Sequence, residues 1–219
     1  MIKHSPPCTR NSTRSSSKSY RTPNEPTGQY TLDPFQCTLV LVPTHEISSA
    51  KKTPGNFITV LSTLSYPLSR GPGHIASRNP WAPLIIDHGI LREPADLDLL
   101  ARHSMWADKL TETPAMTPVL KKDGARLHSD KVPGVRKAQS LCKKLTLSMG
   151  DVSGACAMMP REDGGVVGSM LKVYEMANVR VADASIFPLV PRGNIEATVY
   201  AVAERAAAII KEEYKLLSG

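Results

Sequence analysis

The sequence predicts an α+β domain, on three observations. Short apolar runs of strand length, Leu39 to Val42 and Phe57 to Leu64, come before two stretches whose apolar residues recur at helical spacings of three and four. Strands and helices do not alternate regularly, so a doubly wound parallel sheet is not indicated. The 18 prolines and only 5% aromatic residues argue for many turns and against a helical bundle.

Along the chain, residues 1–34 read as a disordered basic tail. Ser15, Ser16 and Ser17 stand in a row among prolines 6, 7, 23 and 26, and such a stretch buries too little apolar surface to offset its ordering entropy. The folded domain is expected over residues 35–215, with 216–219 as a short tail. Cys37 to Pro43 and Phe57 to Leu64 are candidate strands. A helix should open at Pro94, where proline suits the first turn, and carry Leu97, Leu100, Ser104, Ala107 and Leu110 on one stripe. A connection rich in Lys and Gly, Lys121 to Gly134, leads to a second helix expected over Val135 to Met149. Val179 and Val181 alternate with Arg180 and Ala182, which predicts a strand over Asn178 to Asp183. After the turn-rich Ser185 to Gly193, Ile195, Val199, Val202, Ala206, Ile209 and Ile210 line one face of a final helix. Asn194 stands where its N-cap belongs.

Composition narrows the function. The formal charge is +7, but Lys3, Arg10, Arg14, Lys18 and Arg21 face only Glu25 in the first thirty residues, so the folded part is mildly basic. A nucleic-acid reading would rest on the tail's charge alone, and none is drawn. Cys8, Cys37, Cys142 and Cys156 lie far apart, with no C-x-x-C pair and no His/Cys cluster, so buried free thiols are expected and no metal site. No run approaches the roughly 20 apolar residues that span a bilayer. The start lacks the apolar segment of a secretory leader; a transit peptide stays open, and the compartment defaults to the cytoplasm.

One dinucleotide-like pattern occurs, Gly71-Pro-Gly73-His-Ile-Ala76, but the loop-like Ala76 to Pro80 follows it where a phosphate-binding helix should begin. A turn is the better reading. The informative pattern lies downstream in four ordered blocks: Cys156-Ala-Met-Met-Pro-Arg-Glu-Asp-Gly-Gly-Val-Val167, Leu171-Lys-Val-Tyr174, Val179 to Pro188, and Pro191-Arg-Gly-Asn-Ile-Glu-Ala-Thr-Val-Tyr-Ala201. Read in sequence, these closely resemble the C-terminal signature of glucose-methanol-choline (GMC) oxidoreductases, in the branch of aryl-alcohol and choline dehydrogenase-like enzymes. Pro54 to Phe57, Tyr66 to Gly71, His74 to Ser77 and Pro83 to Asp87 extend the resemblance upstream.

The resemblance implies the family's substrate-binding domain, with a mixed or antiparallel sheet and flanking helices, and FAD as cofactor. It implies oxidation of the CH–OH group of a small-molecule alcohol, a base taking the hydroxyl proton while hydride passes to the flavin. Asp183 and Ala184 match positions beside the FAD chain. Asn194, Ile195 and Thr198 match the start of the helix that points its positive end at the flavin ring. By itself an Asn before a helix is a cap; the motif makes Asn194 also the catalytic residue that hydrogen-bonds the substrate oxygen.

At the other catalytic position the pattern breaks. The family's His, three residues before Gly154, is here Asp151, and the aromatic residue usual before it is Gly150. Aspartates ordinarily ionise near pH ~4, which suits proton abstraction at neutral pH poorly. The sequence also holds no Rossmann half with its glycine loop. Two readings follow. One is the C-terminal part of an FAD-dependent oxidoreductase that is inactive alone and needs a separate N-terminal FAD-domain half; the other is a non-catalytic remnant or interaction module.

Overall fold

A computed structural model describes residues 26–34, 39–41, 47–49, 54–124, 126 and 131–215. Among these, three two-stranded antiparallel ribbons and three α-helices form an α+β arrangement, in agreement with the expected class. The first ribbon pairs β1 (Gly28–Asp33) with β4 (Thr59–Leu64), register Gly28 to Leu64. The second joins β2 (Leu39–Leu41) to β3 (Ile47–Ser49), and the third β5 (Gly73–His74) to β6 (Ile85–Ile86).

Three expectations need correction. The tail expected over residues 1–34 does not include Gly28–Asp33, a strand that pairs with Thr59–Leu64; residues 1–25 lie outside the described residues. Asn178 to Asp183 forms no strand. It makes one antiparallel bridge, Lys172 to Arg180, flanked by the hydrogen bonds Val173 N to Val179 O and Val181 N to Leu171 O, since the facing segment is too short to continue a ladder. The second helix ends at Leu145, not Met149, where Thr146 turns to extended backbone while its N–H still reaches Cys142 O. Of the first candidate strand, Leu39–Leu41 holds; Cys37, Val42 and Pro43 lie outside the described residues.

Two hydrophobic clusters organise the described residues. In the first, helices α1 (Pro94–Leu110) and α2 (Val135–Leu145) pack through Leu100, Ala101, Ala138 and Cys142 beside Leu64 of β4. Asp96, in the first turn of α1, is buried but satisfied: its carboxylate accepts from Leu68 N (2.9 Å), Ser69 N (2.7 Å) and Ser69 Oγ (2.6 Å). That clamp ties the Tyr66 to Gly71 segment to the helix N-terminus, where an anion is favoured. Cys142 is a buried free thiol 3.4 Å from Ser104 Oγ, its pKa pushed up by burial, whereas Cys156 is only half-buried.

In the second cluster, α3 (Glu196–Glu213) sets Ala206 and Ile209 against Val167, Leu171, Ile186 and Phe187, with Val199 and Val202 partly buried beside them. Ile210 departs from its expected inward position and is 37% exposed. Buried apolar area of this kind supplies the main driving force for docking α3. Glu213 adds an ion cluster, pairing with Lys172 Nζ at 2.7 Å and with Arg180. The Lys172 hydrogen bond, helped by Arg180, holds its carboxyl below the ordinary 4.5. The folded state is therefore favoured by this group above that value, and the contribution is lost as the pH falls through the lowered one. The thermal midpoint is expected to drop on acidification below 4.5, and Glu213→Gln to flatten that limb of the pH–stability curve.

Candidate functional site

The site is built where two segments meet the start of α3. Asp151 is the central residue of a tight turn closed by Val152 N to Gly150 O at 2.9 Å, with Gly150 at φ 90, a conformation that suits glycine. The chain then runs alongside the short 3-10 turn Ala184–Ile186 and gives it three hydrogen bonds. Gly154 N reaches Ala184 O (3.2 Å), Cys156 N reaches Ser185 O (2.8 Å) and Met158 N reaches Ile186 O (2.7 Å). The Asp151 turn is thereby fixed to the segment that leads into α3.

Asp183 opens that 3-10 turn, and its Oδ1 accepts from Ser185 N at 2.8 Å. Asn194 Oδ1 accepts from Glu196 N at 2.9 Å, so it caps α3 although the regular helix begins one residue later than a cap at Asn194 would place it. Capping uses the amide oxygen; the exposed Nδ2 retains its two donors for a ligand. Ile195 is buried in the α3 core, while Thr198 and Ala184 are half-buried.

Beside the helix start lies an open groove of about 480 Å³, with Asp151 and Val152 on one wall and Ile195, Glu196, Val199, Tyr200 and Ala203 on the other. The structure thus brings Asp151 to the first two turns of α3. Asn194, Thr198, Asp183 and Ala184 do not line this groove. Glu196, Tyr200 and Val152 were not singled out from the sequence. A signal existed: 196, 199, 200 and 203 repeat at helical spacing on a stripe beside the core face. Also unforeseen is Arg192, whose guanidinium carbon lies 4.8 Å from the centre of the Tyr66 ring. Gly193 adjoins Gln29: a β-carbon placed there would come within 3.8 Å of Gln29 Oε1. The α3 entry therefore lies beside the β1–β4 ribbon.

A sequence profile described as GMC oxidoreductase matches residues 67–203, spanning both the Asp151 turn and the α3 entry. The chain belongs to the GMC oxidoreductase family. It is 35% identical over 153 residues to a GMC oxidoreductase family protein of Malassezia sympodialis, covering 70% of this chain and 24% of that protein. Among solved structures, it resembles an FAD-dependent oxidoreductase from Chaetomium thermophilum, with a TM-score of 0.66, 31% identity, and coverage of 71% of this chain and 27% of the other. A fungal aryl-alcohol oxidase gives a TM-score of 0.64 at 32% identity, over 77% of this chain and 27% of the other. The chain thus spans about a quarter of the length of the relatives it matches.

GMC homologues are FAD-dependent, and the residues here fit that group in part. The α3 entry, with exposed Asn194 ahead of an 18-residue helix, suits the edge of a flavin ring. The Gly-Pro-Gly pattern opens no phosphate-binding helix: Gly73–His74 is strand β5, and a β-carbon on Gly71 would meet Asp87 O at 1.7 Å. Among the described residues no group of three or more His, Cys, Asp or Glu could hold a metal ion, and no helix is long and apolar enough to cross a membrane.

Proposed function

We propose that this chain is the substrate-side part of an FAD-dependent oxidoreductase acting on the CH–OH group of small-molecule alcohols. The observation that carries the reading is the α3 entry: Asn194 is exposed and holds the helix start with its amide oxygen, which leaves the amide nitrogen for a ligand, and the residues that follow it, Ile195 and Glu196, line an open groove. In this reading Asn194 Nδ2 donates to the alcohol oxygen and orients it, while the flavin, when bound, accepts hydride. Asp183, Ala184, Ile195 and Thr198 support the cofactor side. Asp151 occupies the place of the proton acceptor without serving it well.

The same reading has the chain hold FAD weakly or not at all alone and require a flavin-binding portion like that in the remaining length of its relatives. An apolar surface supports such a partner. On the β5–β6 ribbon and its flanks, Trp81 is 90% and Ile75 80% exposed, and Leu84, Ile85 and Ile86 are exposed beside them. The test is flavin fluorescence during titration of the purified chain, with and without the flavin-binding portion of a relative. Retention of FAD is expected only in the mixture; stoichiometric yellow flavin carried through gel filtration by the chain alone would overturn the proposal.

A second reading, a non-catalytic remnant or interaction module, is favoured by Asp151 and by the second carboxylate, Glu196, on the same groove. It requires that the mixture bind flavin yet oxidise no alcohol.

A further inference from the structure

Away from the α3 groove, two buried side-chain polar atoms of the described residues have no hydrogen-bond partner, Ser62 Oγ on β4 and Nδ1 of His103 between β1 and α1. His103 Nε2 shares a 2.9 Å hydrogen bond with Thr27 Oγ1, whereas Nδ1 is buried with no hydrogen-bond partner among the described residues. The imidazole is pressed beneath Gly28, where a β-carbon would come within 1.9 Å of His103 Cε1 and 2.0 Å of Nδ1. Tyr30 completes the contact. Its hydroxyl donates to His103 O at 3.3 Å, and its ring lies 5.7 Å from the imidazole and 4.7 Å from Trp106.

A neutral imidazole tolerates this setting; an imidazolium does not. Protonation makes both ring nitrogens donors and sets a charge against the Gly28 backbone, where the described neighbours offer the Thr27 hydroxyl and the Thr63 carbonyl but no carboxylate. On α1 the helical neighbours of His103 are Leu99, Leu100, Trp106 and Ala107, all uncharged. Facing residues of the ribbon are Gln29, Tyr30 and Thr31 on β1 and Ser62 and Thr63 on β4. Burial pushes the Tyr30 hydroxyl up, so it stays neutral. On the same helix, exposed Arg102 is paired with half-buried Asp98.

We propose that His103 is the catch of an acid-sensitive latch: in its neutral form it holds β1 on α1, and its protonation frees the strand. Among the described residues β1 pairs only with β4, and a two-stranded ribbon is marginal without packing from a third element. Losing the His103 contact therefore matters to β1 more than to the α3 core. Burial pushes the imidazole below its ordinary 6.5, in keeping with the geometry. The sign follows. With the strand released, His103 binds the proton more readily, so the latch is at full strength above 6.5 and weakens as the pH falls through the lowered value. Asp108 and Glu213 titrate below this window, their carboxyls being held under 3.8 and 4.5. Because Gln29 adjoins Gly193, release of β1 would also open one side of the α3 entry. That last consequence rests on the functional reading of Asn194; the latch itself does not.

Hydrogen exchange of the full chain, corrected for intrinsic rates, tests it at pH ~7.5 and ~5.5. Protection of the paired β1 amides is expected to fall about tenfold at the lower pH, within the range for one disrupted buried contact, while α3 amides are unchanged. His103→Gln, neutral at both values, should abolish the difference. Equal protection of wild-type β1 at both pH values, or the same drop in the variant, overturns the latch. If the variant fails to fold, NMR titration of the wild-type imidazole decides: a midpoint below 6.5 supports the latch, and one at or above it removes the basis.

Discussion

Asp151→His, in a chain combined with the flavin-binding portion of a relative, is expected to raise kcat/KM for alcohol oxidation by about 10²-fold or more, the range of a positioned general base. The backbone supports the exchange. Residue 151 is the middle of the turn closed by Val152 N and Gly150 O, and the following strand-like segment is fixed to Ala184–Ile186 by three hydrogen bonds. Residue 151 already lines the groove shared with Ile195 and Glu196. No hydrogen bond from a described residue reaches the Asp151 carboxylate, so its removal leaves no donor stranded. Histidine ordinarily titrates near ~6.5, so the activity gained should rise as the pH is raised through that region. Asp151→Asn is the necessary control, since it removes one of the groove's two negative charges without supplying a base. Equal gains from Asn and His would mean that only charge relief had been observed, and no gain from either would favour the non-catalytic reading.

How far the sequence anticipated the molecule depends on how local each signal was. The stripe Val199, Val202, Ala206 and Ile209 and the capping Asn194 are properties of one helix and its first turn, and they were legible. So was the Pro94 start of α1. Strand β1 was not, because Tyr30 and Leu32 sit among polar residues and gain a strand only through pairing with Ser62 and Val60. The converse error has the same origin: the alternation over Asn178 to Asp183 describes a suitable surface but not a partner, and one bridge is all it finds. At the site, the family signature marked Asp151 and Asn194 separately. It could not show that Asp151 shares a groove with Glu196 and Tyr200, or that Arg192 stacks on Tyr66, since these contacts join segments distant in sequence.

The adjacent glycines of the Gly164-Gly165 pair separate two physical roles, and Gly165→Ala is expected to be the more damaging, at about 3 kcal/mol against about 1 kcal/mol for Gly164→Ala. Gly164 ends the 3-10 turn Arg161–Asp163 at φ 89, but a β-carbon there meets nothing within 4 Å, so its substitution costs mainly backbone strain. At Gly165 the new atom would lie 1.9 Å from Met159 O, 2.5 Å from Met159 C and 2.9 Å from Pro160 O. Backbone must move, and little around it is free to follow. Gly165 N is bonded to Pro160 O at 3.0 Å, Tyr174 OH donates to Met159 O at 2.9 Å, and Val166 N holds Ala157 O at 2.9 Å. The next residue, Val167, is fully buried in the cluster that seats α3. A shift large enough to relieve the clash therefore unseats Val167 and loosens Met158, whose N–H anchors the Asp151 segment to Ile186. Chemical denaturation of both variants measures the difference, and a Gly165→Ala loss no larger than that of Gly164→Ala would show that this loop yields without disturbing the core.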